Sequence, residues 1–250
     1  MRNNGMYVQR SAFSSESGEG GFTLVELMVA IAIGLFLISV VGVLFVNSKR
    51  TYLAQDANSR VQESSRYATE FLGRQVRESG YLNIVFNQLS PINLFAVPQA
   101  MTFTGNPIAG TEGGAAPDTI TVSNDSTTDC LGSAVVSPAI NQFRINAAKQ
   151  LECVSNGVVG VILEDVEDMQ IVYGQSIGGN YGYLTASAAT MASVDSVRIC
   201  LLLRAKADAN KSAIDSNQTY TDCSGVATTQ SDGFLRRTVT ETIGLRNRLK

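Results

Sequence analysis

From Leu27 to Val46 the chain runs for twenty residues without a charge, and Ser39 is the only clearly polar side chain among them. Twenty residues of helix cover about 30 Å, the thickness of a bilayer's hydrocarbon core. A helix of that length inside a soluble core keeps a polar stripe, and this one has none. The run reads as a membrane span. Any fold for the chain must therefore include a segment that the chain's own globular part does not cover.

A short polar leader, Met1 to Gly21, precedes the run and carries Arg2 and Arg10. A secretory signal would place its cleavage site after the apolar stretch, at a triplet of small residues. Here the stretch ends in Phe45-Val46-Asn47-Ser48-Lys49-Arg50, which is no such site. The unusual residues lie at the other end, where Gly20-Gly21-Phe22-Thr23-Leu24-Val25-Glu26-Leu27-Met28 opens the run. This order of glycine, aromatic, apolar residues and a lone glutamate resembles the prepilin signal of type IV pilins and type II secretion pseudopilins. The resemblance implies cleavage between Gly21 and Phe22 by a prepilin peptidase on the cytoplasmic side, N-methylation of Phe22, and retention of the anchor. Glu26 has two readings. Near a membrane interface it can reach water and favour the positive end of its own helix. The resemblance implies a second role, assembly, through pairing with the free ammonium of a neighbouring subunit's Phe22. Flanking charge points the other way: Arg2 and Arg10 precede the span, whereas Lys49, Arg50 and Arg60 follow it. Basic residues alone thus favour the topology opposite to a pilin's; the signal and the cysteines outweigh that count.

Beyond the span, Leu53, Ala57, Val61, Ser64, Ala68, Phe71 with Leu72, and Gln75 with Val76 recur at three- and four-residue spacing. This predicts a continuing amphipathic helix with Glu63 and Glu70 within reach of Arg66 and Arg74, stopped at Gly80. From Phe22 to Ser79 such a helix would be roughly 87 Å long at 1.5 Å per residue. Gly34 and Gly42 offer places where packed membrane helices can approach closely. The segments Val61 to Ala68, Arg74 to Tyr81, Val166 to Gly174 and Leu235 to Arg248 resemble the minor pilin family PilW.

In the remainder, 82–117 is rich in Asn, Pro and Gly and reads as a loop, as does 174–191. Strands are expected over 119–122, 142–147, 158–163, 169–173, 197–203 and 238–245, where apolar residues alternate or β-branched residues mix with polar ones. With no helical pattern between them, the sheet should be mostly antiparallel. The expected fold class is α+β and pilin-like, a long N-terminal membrane-spanning helix packed on a mostly antiparallel sheet. Its parts are a cytoplasmic leader (1–21), a membrane and filament-core helix (22–46), an amphipathic continuation (47–80) and a periplasmic β-rich head (81–250).

Cys130, Cys153, Cys200 and Cys223 all follow the span, and their number and exported position favour disulfides. Twenty-two residues separate the members of each neighbouring pair, which favours Cys130–Cys153 and Cys200–Cys223 among three possible connectivities. The chain has no histidine, so the commonest general base and zinc ligand is missing. No constellation of carboxylates and hydroxyls replaces it; no catalytic, cofactor or metal site is expected. The acidic run Glu164 to Asp168 lacks the alternation and central glycine of a calcium loop and reads as a solvated turn. The basic C-terminus (Arg236, Arg237, Arg246, Arg248 and Lys250) reads as protection of an edge strand. A net charge of −3 gives no general attraction to nucleic acid.

What the resemblance implies is a minor pilin of a type IV pilus, held in the inner membrane with its head in the periplasm and then assembled into the filament. Its partners would be the prepilin peptidase, other minor pilins and the major pilin, the inner-membrane assembly machinery and membrane lipid. The alternatives are a type II secretion pseudopilin, which shares these features, and a membrane-tethered binding or enzymatic domain. The expected mature N-terminus is methylated Phe22, with Gly21→Val left unprocessed. Mass spectrometry of the assembled protein checks this, and an intact Met1 or a terminus beyond Val46 contradicts it.

Overall fold

The fold comes from a computed structural model, which describes residues 21–82, 105–206 and 218–248. One helix, α1 (Leu24–Arg77), runs for 54 residues and contributes to two compact units, Met1–Lys49 and Arg50–Lys250. In the first unit the apolar residues from Leu24 to Val46 are exposed almost throughout.

In the second unit the same helix changes character. Ala57, Val61, Ala68, Leu72 and Val76 are buried, while Glu63, Arg66, Glu70 and Arg74 are exposed. Spacings of four and seven residues place the buried set on one face of a helix. The ion pairs differ from the expected ones: Arg60 bonds Asp56 one turn back at 3.0 Å, and Arg77 reaches Glu241 at 3.7 Å. Gly80 follows the last turn with φ of +72°, a conformation natural to glycine, and its N–H donates to Ser123 O at 2.8 Å. The side chain of Asn247 donates to Ser79 O at 2.9 Å, tying the end of the helix to the end of the chain.

Eleven strands follow among the described residues. A five-stranded meander takes β1 (Ile108–Thr111), β2 (Thr119–Asn124), β3 (Ala139–Ile145), β4 (Leu151–Ser155) and β5 (Val158–Leu163) in chain order. The second sheet has the order β11-β8-β6-β7, built from β6 (Val166–Ile177), β7 (Asn180–Leu184), β8 (Ser196–Ala205) and β11 (Leu235–Gly244). A hairpin of β9 (Gln218–Thr221) and β10 (Ala227–Gln230) completes the set, and every pairing is antiparallel. Helix and sheets share one core. Phe71 of the helix meets Phe143 of β3 edge to face at 5.9 Å, and Leu72 and Val76 join Ile120, Leu151, Met169 and Leu201.

One carboxylate joins the two sheets. Asp118, buried at the start of β2, accepts from the N–H groups of Gly113 and Ile171, both at 2.8 Å, and its own N–H donates to Met169 O at 2.7 Å. Tyr173 packs fully buried over Gly110, where a side chain would collide with its ring. Burial first, then the nearby Asp118 charge, raises the pKa of its hydroxyl.

Two expected loops need correction. The 82–117 stretch contains β1, and Gly174 to Met191 contains the end of β6 and all of β7; residues 83–104 lie outside the described set. Composition concealed the second case. Gly178 and Gly179 are the two central residues of a hairpin turn, with φ of +56° and +89°, between Ile177 and Asn180. A matching Asn156-Gly157 turn, with φ of +50° and +77°, joins β4 to β5. β4 was missed because Leu151 to Ser155 is buried on both faces and shows little alternation.

Leu72 is 1% exposed at the centre of this core. Leu72→Ala should destabilise the head by about 2–5 kcal/mol, the usual cost of such a cavity. Denaturant unfolding of the full chain in detergent, followed through its tyrosine signals, measures the change; Glu63→Ala on the exposed face should stay within about 0.5 kcal/mol.

Candidate assembly site

The N-terminal segment presents three features in sequence. Gly21 and Phe22 precede the helix, and Phe22 is 84% exposed. Thr23 is the cap: its Oγ1 accepts from the N–H of Glu26 at 3.2 Å, while its carbonyl takes the N–H of Leu27. Glu26 is then the third residue of the helix, the position at which a carboxylate best complements the unpaired N–H groups of the first turn. Sequence reasoning passed over Thr23, although the Thr-x-x-Glu spacing is a recognised helix-start signature. The cap fixes where the helix begins.

From Leu27 to Val46 the unit offers apolar side chains to its surroundings, with Ser39 the one clearly polar residue. Leu27, Ile31, Leu35, Ile38 and Phe45 are each more than half exposed, and nothing lies within 4 Å of a Cβ built on Gly34 or Gly42. A surface of this length and composition is stable in lipid or against other apolar helices and unstable in water.

The head is held differently. Cys130 is bonded to Cys153 and Cys200 to Cys223, with Cα atoms 6.5 and 5.7 Å apart. The first bond staples the 125–138 segment to β4; the second ties β8 to the loop of the β9–β10 hairpin. Near the second lies an ion network that the acidic run and the basic C-terminus build together. A bulge in β6 leaves Glu167 without a partner on β8 and turns it towards two arginines. Arg236 of β11, its side chain 4% exposed, grips Glu167 with two bonds of 2.6 and 2.8 Å and also bonds Asp232. Arg204 of β8 reaches Glu167 at 3.2 Å and Asp165 at 2.9 Å, with Phe234 beneath its guanidinium at 4.4 Å.

These positions correct two expectations. Glu164 to Asp168 is not simply a solvated turn, since Glu167 is drawn inside, and Arg236 is a buried ion-pair partner, not an exposed edge charge. Neither was legible because the pairing joins residues 69 apart in the chain. Burial pushes the Glu167 carboxyl up, but hydrogen bonds and charge from Arg236, then Arg204, outweigh it and hold the pKa below normal. Asp232 is lowered to about 2, chiefly by its hydrogen bond from Arg236.

Comparison with known proteins follows the same division of the chain. A family model described as Type IV Pilus-assembly protein W matches residues 120–247, and one described as Prokaryotic N-terminal methylation motif matches residues 17–42. Among solved structures, the type IV-like pilin TTHA1219 from Thermus thermophilus is similar at 14% identity with a TM-score of 0.46, covering 76% of this chain and 98% of that one. No curated protein matches the chain.

A carboxylate with a lowered pKa stabilises the fold above its unfolded pKa, and that contribution disappears as pH falls through the folded value. For Asp232 the window runs from about 4 down to about 2. Head stability should therefore fall across that range. Arg236→Met should remove much of this pH dependence and cost about 1.5–3 kcal/mol at pH 7, because it takes from the partly buried Glu167 its closest partner and leaves it only Arg204. Thermal melts of both proteins at pH 7, 4 and 2.5 test the pair of effects.

Proposed function

Because the chain belongs to the PilW family of type IV pilus-assembly proteins, we propose that this minor type IV pilin joins other minor pilins in a priming or tip complex from which the filament grows. The observation that carries the reading is the division within α1. Its N-terminal part is apolar and uncovered, and its C-terminal part is the central helix of a head with its own core. A subunit of this kind waits in the inner membrane and exchanges lipid for the helices of its neighbours.

In this reading each part has one task. A prepilin peptidase cuts between Gly21 and Phe22, and methylated Phe22 becomes the N-terminus. The anchor (22–46) packs in the filament, the continuation (47–80) carries the head, and the head (81–250) selects partners in the periplasm through contacts, without catalysis. The two disulfides suit that oxidising compartment. Glu26 docks the subunit. Opposite charges attract strongly at short range where water is excluded, so a Glu26 carboxylate that meets the ammonium of a neighbour's Phe22 fixes the axial register between subunits.

Glu26→Ala and Glu26→Gln separate docking from capping. Both keep the backbone N–H that Thr23 caps. Under the docking role, both variants enter the membrane and are processed, yet recover little of the other minor pilins on co-purification and support few pili; Glu26→Asp is intermediate. Wild-type pilus number and partner recovery in Glu26→Gln cells would leave Glu26 as a helix-cap residue and defeat the docking role.

A further inference from the structure

The last strand of the five-stranded sheet ends that sheet in an unusual way. β5, Val158-Val159-Gly160-Val161-Ile162-Leu163, pairs with β4 on one side, and among the described residues no strand pairs with its other side. Half the backbone N–H and C=O groups of such a strand point away from its sheet and can receive another strand. Natural edges are blunted with charges, prolines or short length. Among the other outer strands of the described residues, β11 carries Arg237 and Glu241, and β1, β7, β9 and β10 are short, with four or five residues each. β5 has neither charge nor proline, yet Val158, Val159 and Val161 are 57%, 48% and 50% exposed. Its one irregularity, the register shift opposite Leu151 and Glu152, lies at the Ile162 end and leaves Val158 to Val161 regular.

We propose that the free edge of β5 is a docking site for an extended strand from the head of a different minor pilin, which adds to the five-stranded sheet. The inference rests on the assembly role proposed above.

A second copy of this chain does not fit. Two β5 edges paired antiparallel are related by a twofold axis perpendicular to the sheet, which reverses every direction in the sheet plane. Within the head, α1 lies along this sheet, with Phe71 on Phe143 and Gln75 beside Asn141. The twofold would reverse the helix, so the helices of the two heads would run in opposite directions, whereas the heads of one filament repeat in the same direction. A freely diffusing peptide does not fit either. Six residues of strand are about 20 Å long and bury less than the roughly 1,200 Å² of a stable standard interface. The contact becomes useful when the partner is held nearby, as a second subunit anchored in the same membrane is. The incoming strand should be uncharged and apolar where it faces Val159 and Val161, since those are the side chains it meets on the open face.

The test uses the full chain in cells that make the other minor pilins. Val159→Lys places a charge on the edge, Val159→Thr keeps the β-branched shape, and Val226→Lys puts the same charge on an exposed position of the β9–β10 hairpin. Both sites are solvent-exposed, Val159 at 48% and Val226 at 57%, and equal abundance with both disulfides formed shows that the heads have folded. Val159→Lys should lower recovery of at least one minor pilin about tenfold, while the other two variants recover it within about twofold of wild type. A photo-cross-linker at position 159 should join a strand-forming segment of that pilin. Full recovery with Val159→Lys, or cross-links only to a second copy of this chain, overturns the inference and leaves the assembly role standing. A wild-type chain that recovers no minor pilin at all defeats the assembly role and this inference together.

Discussion

One helix with two incompatible burial demands governs this molecule. After Arg50 its apolar residues come every three or four positions, and one face fits against a sheet. Before Lys49 they come on every side, so no single neighbouring layer can cover them. Eighteen exposed large apolar side chains between Phe22 and Val46 cannot remain in water, at about 25 cal/mol for each Å² left uncovered. The chain therefore needs a second solvent, first lipid and then other helices, and the requirement for partners is already present in its composition.

The head meets the complementary demand, which is to remain one shape while its anchor changes surroundings. Charges are sparse, at 16% of residues, and several of them are used inside. Asp118 satisfies backbone donors from two different segments, and Glu167 with Arg204 and Arg236 ties three strands of the second sheet at a bulge. Such buried pairs add little net stability compared with apolar packing, but they are costly to break one partner at a time. They resist slippage between strands more than they add to the total. The disulfides act on the same segments from the unfolded side, by limiting the freedom of the 130–153 and 200–223 loops.

The helix was legible in the sequence because both of its signals are local: an unbroken apolar run and a repeat at helical spacing. Six strands were legible for the same reason, through alternation or β-branched runs. What escaped was either concealed by local composition or set by partners distant in sequence. β4 is buried on both faces and alternates little, and the strands around Gly178-Gly179 were hidden by their own turn glycines. Asn156-Gly157, a strong hairpin signal, stood in plain view between two apolar runs and was passed over. Arg236 and Glu167 each looked like surface charge, and only the pairing of β6, β8 and β11 brings them together. At the N-terminus, Gly21, Phe22 and Glu26 stood out by their order, whereas Thr23 did not, because a helix cap is ordinary chemistry beside an unusual motif.

Thr23 changes how Glu26 should be understood. A carboxylate on the third residue of a helix faces the unpaired N–H groups of the first turn, which favour it by a few tenths to about 1 kcal/mol. That lowers the cost of holding a charge beside an apolar span, so the isolated subunit can carry Glu26 into a membrane without a partner. The same stabilisation weakens Glu26 as a source of affinity, since an incoming ammonium must compete with the helix's own N-terminus. Under the docking role proposed above, pairing there gains little over the unpaired state and much over a misregistered bundle, in which the carboxylate would lie against another helix's apolar side. In that role the charge is a selector of register more than an adhesive. Affinity would then have to come from the apolar helix, and partner identity from surfaces of the head.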